Sequence, residues 1–211
     1  MQEVQAAGIP VINSDRKFEG LEQYYEFYVG NSLRGEADNL VEWLEDYVYD
    51  NSLKNGDIKI IHLQGKLGME AQVDRTAGLM AGVAKNDWTI VAQKSGSFRK
   101  DEGQNAMAAI LDSVGKDDFT VVWGENDDMI YGAIDAMWER GLDPRDYIIV
   151  SFDGNGSAVQ MVADGIIDAI AECYPKFGPD VGALILRASS GEKIPSPQYI
   201  DEGVIDLWTV Y

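Results

Sequence analysis

Short runs of apolar, β-branched and aromatic residues recur along the chain, separated by longer segments in which apolar residues return every three or four positions. The runs are IPVIN (9–13), YEFYV (25–29), IKIIHLQG (58–65), WTIVAQ (88–93), FTVVW (119–123), YIIVSF (147–152) and DAIAE (168–172). Each has the length and residue types of a strand. Between them Met69, Val73, Ala77, Met80 and Ala84 fall at helical intervals, as do Ala106, Ile110, Leu111 and Val114, then Ile130, Ile134 and Met137. These stripes read as core-facing helix surfaces. Nearly all-apolar strands alternating with amphipathic helices predict an α/β fold, a doubly wound parallel sheet covered on both faces and built by right-handed crossovers.

Glycines punctuate the helices. Gly141, with Pro144 just beyond, and Gly165 sit where helix stops are expected. At the start, VQAAGIPVIN reads as the last turn of a helix, a stop at Gly8 and a strand. A helix that short does not hold itself together alone. The expectation is therefore that Met1 falls inside an element and that the chain is the later part of a longer protein.

Composition narrows the function. Of 211 residues 45% are hydrophobic, enough for a sizeable core, and the formal net charge is -19. Phosphate backbones and anionic lipid are repelled by such a chain, so nucleic acid is not an expected partner. A single cysteine, Cys173, excludes an internal disulfide, and no Cys/His cluster suggests a metal site. The single histidine, His62, lies in an apolar strand and reads as a packed or hydrogen-bonded core residue. No apolar run reaches membrane-spanning length, and no signal peptide is read at the start. No nucleophile elbow, phosphate loop or dinucleotide fingerprint is found, so neither an enzyme nor a cofactor is expected.

Candidate chemistry collects where strands end. In open α/β sheets ligands bind beyond the carboxyl ends of the strands. There the sequence places Asp15-Arg16, then Arg75 early in the helix after IHLQG, Phe98 within KSGSFRKDEG, Asn126, Asp153-Gly154 and Glu172. Carboxylates accept from hydroxyls, Asn accepts and donates, Arg donates in a planar fork, and a ring packs on an apolar C–H face. That set suits a polyhydroxylated ring such as a sugar. Taken singly, Asn126 or Asp153 is more often a turn or cap residue. Within the quartet at 125–128, Asp127 and Asp128 read as caps and first-turn carboxylates, and Asn126 as the ligand contact.

The segments AGIPVINSDR, SGSFRKDEGQNAM, VVWGENDDMIYGAIDAM and YIIVSFDG resemble the periplasmic sugar-binding proteins of ABC transporters, the ribose-, galactose- and galactofuranose-binding type with the type I periplasmic binding protein fold. Resemblance to the galactofuranose-binding branch is strongest, through SGSF, NDDM, the spacing to DG, and Gly178-Pro179. The resemblance implies two lobes, joined by three hinge segments, that close on a monosaccharide held between them. It implies an ABC transporter permease as partner, and a periplasmic or lipid-anchored extracellular location for the full-length protein. Asp15 and Arg16 would belong to the first lobe's rim. Arg75, Asn126 and Asp153 would belong to the second, with Phe98 as the stacking ring and Glu172 at a hinge crossing where some relatives carry Gln.

On this reading residues 1–29 and 174–194 are a remnant of the first lobe, and residues 30–173 and 195–211 form a nearly complete second lobe. Hinge segments are expected near Val29–Ser32, Glu172–Pro175 and Ile194–Tyr199. The alternative is the effector-binding domain of a lactose-repressor-type transcription regulator, which shares the fold. A sugar-processing enzyme, or a naturally short form that only oligomerises, fits less well. Closure free energy comes from contacts to both lobes, so weak or absent sugar binding is expected of this chain by itself, with self-association through an exposed sheet edge. Calorimetry on the monomeric chain checks this. Nanomolar-to-micromolar binding of a monosaccharide would contradict it.

Overall fold

The computed structural model describes residues 1–18 and 20–210; Glu19 and Tyr211, which the expected lobes include, lie outside the described residues. In chain order come α1 (Gln2–Ala6), β1 (Asn13–Ser14), β2 (Tyr28–Gly30), α2 (Leu33–Asp50), β3 (Lys59–Gln64), α3 (Glu70–Asn86), β4 (Thr89–Ser95) and α4 (Lys100–Leu111). Then follow β5 (Val121–Gly124), α5 (Asp127–Glu139), β6 (Ile148–Asp153), α6 (Gly156–Ala163), β7 (Ala169–Glu172), α7 (Gly178–Ser189), β8 (Gln198–Tyr199), β9 (Val204–Asp206) and α8 (Leu207–Val210). The chain forms two compact units, Met1–Ser32 with Tyr174–Glu202, and Leu33–Cys173 with Gly203–Tyr211.

The larger unit is the expected α/β body. Its six-stranded sheet has the order β4-β3-β5-β6-β7-β9, parallel throughout except for β9, which runs antiparallel to β7. Successive strand residues serve opposite faces. Ile61, Val122, Ile149 and Ile170 pack with Met107, Ile130 and Ile134 of α4 and α5. Ile60, Val121, Val150 and Ala171 pack with Leu40, Leu44 and Leu79 of α2 and α3. Burial on both faces is why these strands read as unbroken apolar runs. Each fully buried Ile or Leu stabilises the fold by about 1.5–3 kcal/mol.

Helix α3 corrects the sequence reading. Val73 and Met80 are exposed, and the buried face is Gln72, Arg75, Gly78, Leu79 and Gly82. Close approach to α2 selects that face: a Cβ on Gly78 would lie 2.4 Å from the Ala37 Cβ, and one on Gly82 2.7 Å from Val41. A face built from glycines and a paired arginine leaves no apolar stripe. The expected helix stops stand, with Gly8, Gly141 and Gly165 in left-handed conformation at φ 73°, 71° and 65°.

The smaller unit holds a three-stranded parallel sheet, β1-β2-β8, with a core of Phe27, Val29, Leu184 and Ile194. IPVIN and YEFYV contribute only Asn13–Ser14 and Tyr28–Gly30 to the ladder. The chain passes between units after Ser32, Cys173 and Glu202. The third passage thus falls later than Ile194–Tyr199, and residues 195–202, expected in the larger lobe, group with the smaller unit. The cause is register, since Gln198 and Tyr199 pair with Val29 and Gly30 of β2. The tail returns to the larger unit through β9, as expected, and then turns helical in α8.

Helices α4 and α5 approach each other through glycine. A Cβ on Gly132 would stand 2.1 Å from the Lys100 carbonyl oxygen, a backbone atom that cannot rotate away. Gly132→Ala is expected to destabilise the protein by about 1–3 kcal/mol through overpacking. Urea unfolding checks this, and a loss within experimental error would mean the helices are farther apart than described.

A polar rim at the carboxyl ends of the strands

Sheet order determines which side chains meet. The carboxyl ends of β4, β3, β5, β6 and β7 lead respectively to Phe98, Gly65, Glu125-Asn126, Asp153 and Glu172. Arg75 reaches this edge from α3 and is only 3% exposed. Its Nε and Nη2 donate to Glu36 Oε2 at 2.9 and 2.8 Å, Nη1 donates to the Glu125 carbonyl at 2.6 Å, and Nη2 donates to Asp153 Oδ1 at 3.2 Å. The guanidinium also lies 4.6 Å above the Phe152 ring. Of five N–H groups one, on Nη1, is left without a partner among the described residues. Burial by itself would lower the Arg75 pKa, but the charges of Glu36 and Asp153 overcome this and hold it above its ordinary value.

Asp153 ends β6 at φ 100°, with its side chain 41% exposed. One carboxylate oxygen takes the Arg75 bond, and the other makes none among the described residues. Burial raises this carboxyl, the Arg75 guanidinium opposes the rise, and the Asp128 charge adds to it. Glu172 is its register partner on β7, half-buried and without a side-chain hydrogen bond among the described residues.

Asn126 is the N-cap of α5: its Oδ1 accepts from the Met129 N–H at 3.1 Å, and its Nδ2 donates to the Phe98 carbonyl at 3.4 Å. That corrects the division of labour expected in the quartet, because Asp127 does not cap. Asp127 is fully buried and braces the β6–α6 loop, accepting from Ser151 Oγ at 2.6 Å and from the N–H groups of Gly154 and Asn155 at 3.0 and 2.8 Å. Phe98 is half-buried, with its ring over Gly65, where a Cβ would come 1.9 Å from the Phe98 Cζ. Ser97 and Phe98 both take left-handed φ, 53° and 62°. With Asp153 they place three strained non-glycine residues on one rim, each costing on the order of 1–3 kcal/mol and persisting only where surroundings hold it.

Glu125 was not singled out from the sequence, yet it is the hub. With 0% exposure, its Oε1 takes Thr76 Oγ1 at 2.6 Å and contacts His62 Nε2 at 3.0 Å, while its Oε2 takes the Gly65 N–H at 2.6 Å. His62 is the hydrogen-bonded core histidine that was expected, contacting Gln93 through Nδ1 at 3.2 Å. The available signal was a histidine inside an apolar strand, which needs a polar partner on a neighbouring one.

Arg75, Phe98, Asn126, Asp153 and Glu172 therefore share one edge of the larger unit. Asp15 and Arg16 are in the smaller unit, exposed at the carboxyl end of β1. There the Asp15 N–H donates to the Val29 carbonyl at 3.2 Å, and its own carbonyl accepts from the Tyr28 hydroxyl at 2.8 Å. The strand-end edge combines free carboxylate oxygens, a buried donor fork and a half-exposed ring, a set able to grip several hydroxyls of one small ligand.

Residues 1–186 match a family described as periplasmic binding protein domain. The galactofuranose-binding protein YtfQ of Escherichia coli K12 is 30% identical over 197 residues, 87% of this chain and 58% of that protein. This chain thus spans less than two thirds of that relative. A Mycobacterium smegmatis protein solved in complex with β-D-fucofuranose is 31% identical with a TM-score of 0.82, covering 99% of this chain and 68% of that one. The binding protein of the arabinose ABC transporter from Shewanella sp. ANA-3, bound to α- and β-L-arabinofuranose, is 28% identical with a TM-score of 0.83, covering 99% and 68%.

The brace on Asp127 has a pH signature. Burial pushes its carboxyl from the ordinary 3.8 up to about 6, despite the hydrogen bonds from Ser151, Asn155 and Gly154. A carboxyl raised on folding contributes stability that is fully present below its unfolded value and is lost as pH rises through the folded one. Asp127→Asn, which cannot ionise, is expected to flatten the loss of stability between pH 3.8 and about 6. Urea midpoints across that range check this, and an unchanged pH slope would contradict it.

Proposed function

The chain belongs to the periplasmic binding protein domain family, and on that premise we propose that it serves the solute-binding component of a sugar ABC importer, holding a monosaccharide at the strand-end rim. The observation that carries this reading is the convergence of Arg75, Phe98, Asn126 and Asp153, linked through Glu125, on one edge. In it the free oxygens of Asp153 and Glu172 accept from sugar hydroxyls. Asn126 Nδ2, held only by a 3.4 Å bond, turns to a hydroxyl. Phe98 packs on the sugar's C–H face, and Arg75 donates its remaining N–H. The proposal extends to a five-membered ring form, since galactofuranose, fucofuranose and arabinofuranose are named for the relatives.

The role is binding rather than catalysis, in the periplasm, with delivery to a membrane permease. Among the described residues no helix is long and apolar enough to cross a membrane. Self-association through the outer edge of β1, which among the described residues pairs with β2 alone, belongs to the same proposal.

Two substitutions separate recognition from stability. Asn126→Asp keeps an acceptor for the Met129 N–H but exchanges the amide donor, with its bond to the Phe98 carbonyl, for a carboxylate oxygen. It is expected to weaken L-arabinose or galactose binding by about 1–3 kcal/mol with little change in melting temperature. Arg75→Lys loses the fork and is expected to weaken binding and stability together. Low-affinity calorimetry with thermal melts checks both, and Asn126→Asp binding sugar as well as the parent would contradict the assignment.

A further inference from the structure

The other end of the larger unit's sheet carries a concavity. Helix α2 finishes there at Asp50, Asp168 immediately precedes β7, and Asp206 pairs with Ala169, the first residue of β7. The site therefore lies at the amino ends of the parallel strands, away from the strand-end rim. Its volume is ≈ 540 Å³.

The walls are aromatic. Trp43 and Tyr47 lie 5.1 Å apart, tilted by 34°. The Trp43 indole is fixed by its Nε1 donating to Asp206 Oδ2 at 3.1 Å. The other oxygen of Asp206 accepts from the N–H groups of Trp208 and Thr209, both at 3.0 Å, and so anchors α8. Trp208, also in the lining, is 89% exposed and leaves its ring open to a ligand.

The polar groups are almost wholly anionic. Asp46, Asp50, Asp168 and Asp206 all line the cavity, and among the described residues no Lys, Arg or His does. Asp46 and Asp50 are exposed and make no side-chain hydrogen bond or ion pair among the described residues. The one lining amide, Asn51, already donates through Nδ2 to the Tyr47 carbonyl at 2.9 Å.

We propose that this cavity binds a small organic cation of the alkyl- or quaternary-ammonium type, its methyl face against the indole rings and its charge balanced by the surrounding carboxylates. Aromatic faces attract cations through the ring quadrupole, most strongly at Trp. A sugar fits less well, because it needs donors as well as acceptors and no fork-shaped donor lines this cavity. A bare metal ion fits less well too, since it gains nothing from three aromatic walls. The proposal is independent of the sugar reading.

The test titrates the whole chain with choline, followed by the ligand's methyl proton signal, against its uncharged carbon analogue 3,3-dimethylbutan-1-ol at constant ionic strength. Saturable choline binding, with the analogue weaker by about tenfold, is expected from a cation–π contact. Trp208→Ala and Asp46→Asn/Asp50→Asn alter exposed side chains that the fold does not use. Each is expected to reduce choline affinity severalfold with an unchanged circular dichroism spectrum. No saturation, equal binding of the analogue as in a merely apolar groove, or affinity untouched by these variants would each overturn the proposal. A basic peptide that saturates the same residues while choline does not would overturn it as well.

Discussion

A buried guanidinium organises the larger unit. Arg75 sits where α2, α3 and the loops after β5 and β6 meet, and its four bonds tie together three pieces of chain: two go to Glu36, one to the Glu125 carbonyl and one to Asp153. A charge removed from water is tolerated only when fully paired, and stripping one partner from such a pair typically costs about 3–5 kcal/mol. The loops are therefore held to Arg75, and through Glu125 to Thr76 and the Gly65 amide. Left-handed Ser97, Phe98 and Asp153 can persist at this edge because that framework fixes their surroundings. A rigid edge reduces the ordering entropy a small ligand would otherwise have to offset.

Much of the fold was legible because both sheet faces are covered: two-sided burial writes itself as apolar runs, and YIIVSF or FTVVW admits few other interpretations. Where burial uses other chemistry the pattern fails. Helix α3 buries Gln72, Arg75 and two glycines and exposes Val73 and Met80, so counting hydrophobic positions selects the wrong face. The third passage between units was placed early because the two-residue strand Gln198–Tyr199 is too short to announce its partner.

The candidate site was legible in kind rather than in detail. Polar residues after successive strands mark Asn126, Asp153 and Glu172 regardless of exact geometry, because a parallel sheet brings its carboxyl ends together. Division of work inside the quartet was not legible: Asn126 caps α5 while Asp127 turns inward to Ser151, an outcome decided by which side chain the β6 loop can reach. The role of Glu125, a member of the quartet, was not legible for the same reason, since its partners come from β3 and α3, more than forty residues earlier in the chain.

We propose that hydroxyl recognition belongs to the edge organised by Arg75 and Glu125. The most direct measurement is amide chemical-shift mapping of the whole chain during titration with L-arabinose or galactose, which registers even weak binding. The expected result is saturable shifts concentrated at Gly65, Phe98, Asn126, Asp153 and Glu172. Shifts gathered at another surface of the larger unit, or none at saturating sugar, would contradict the account.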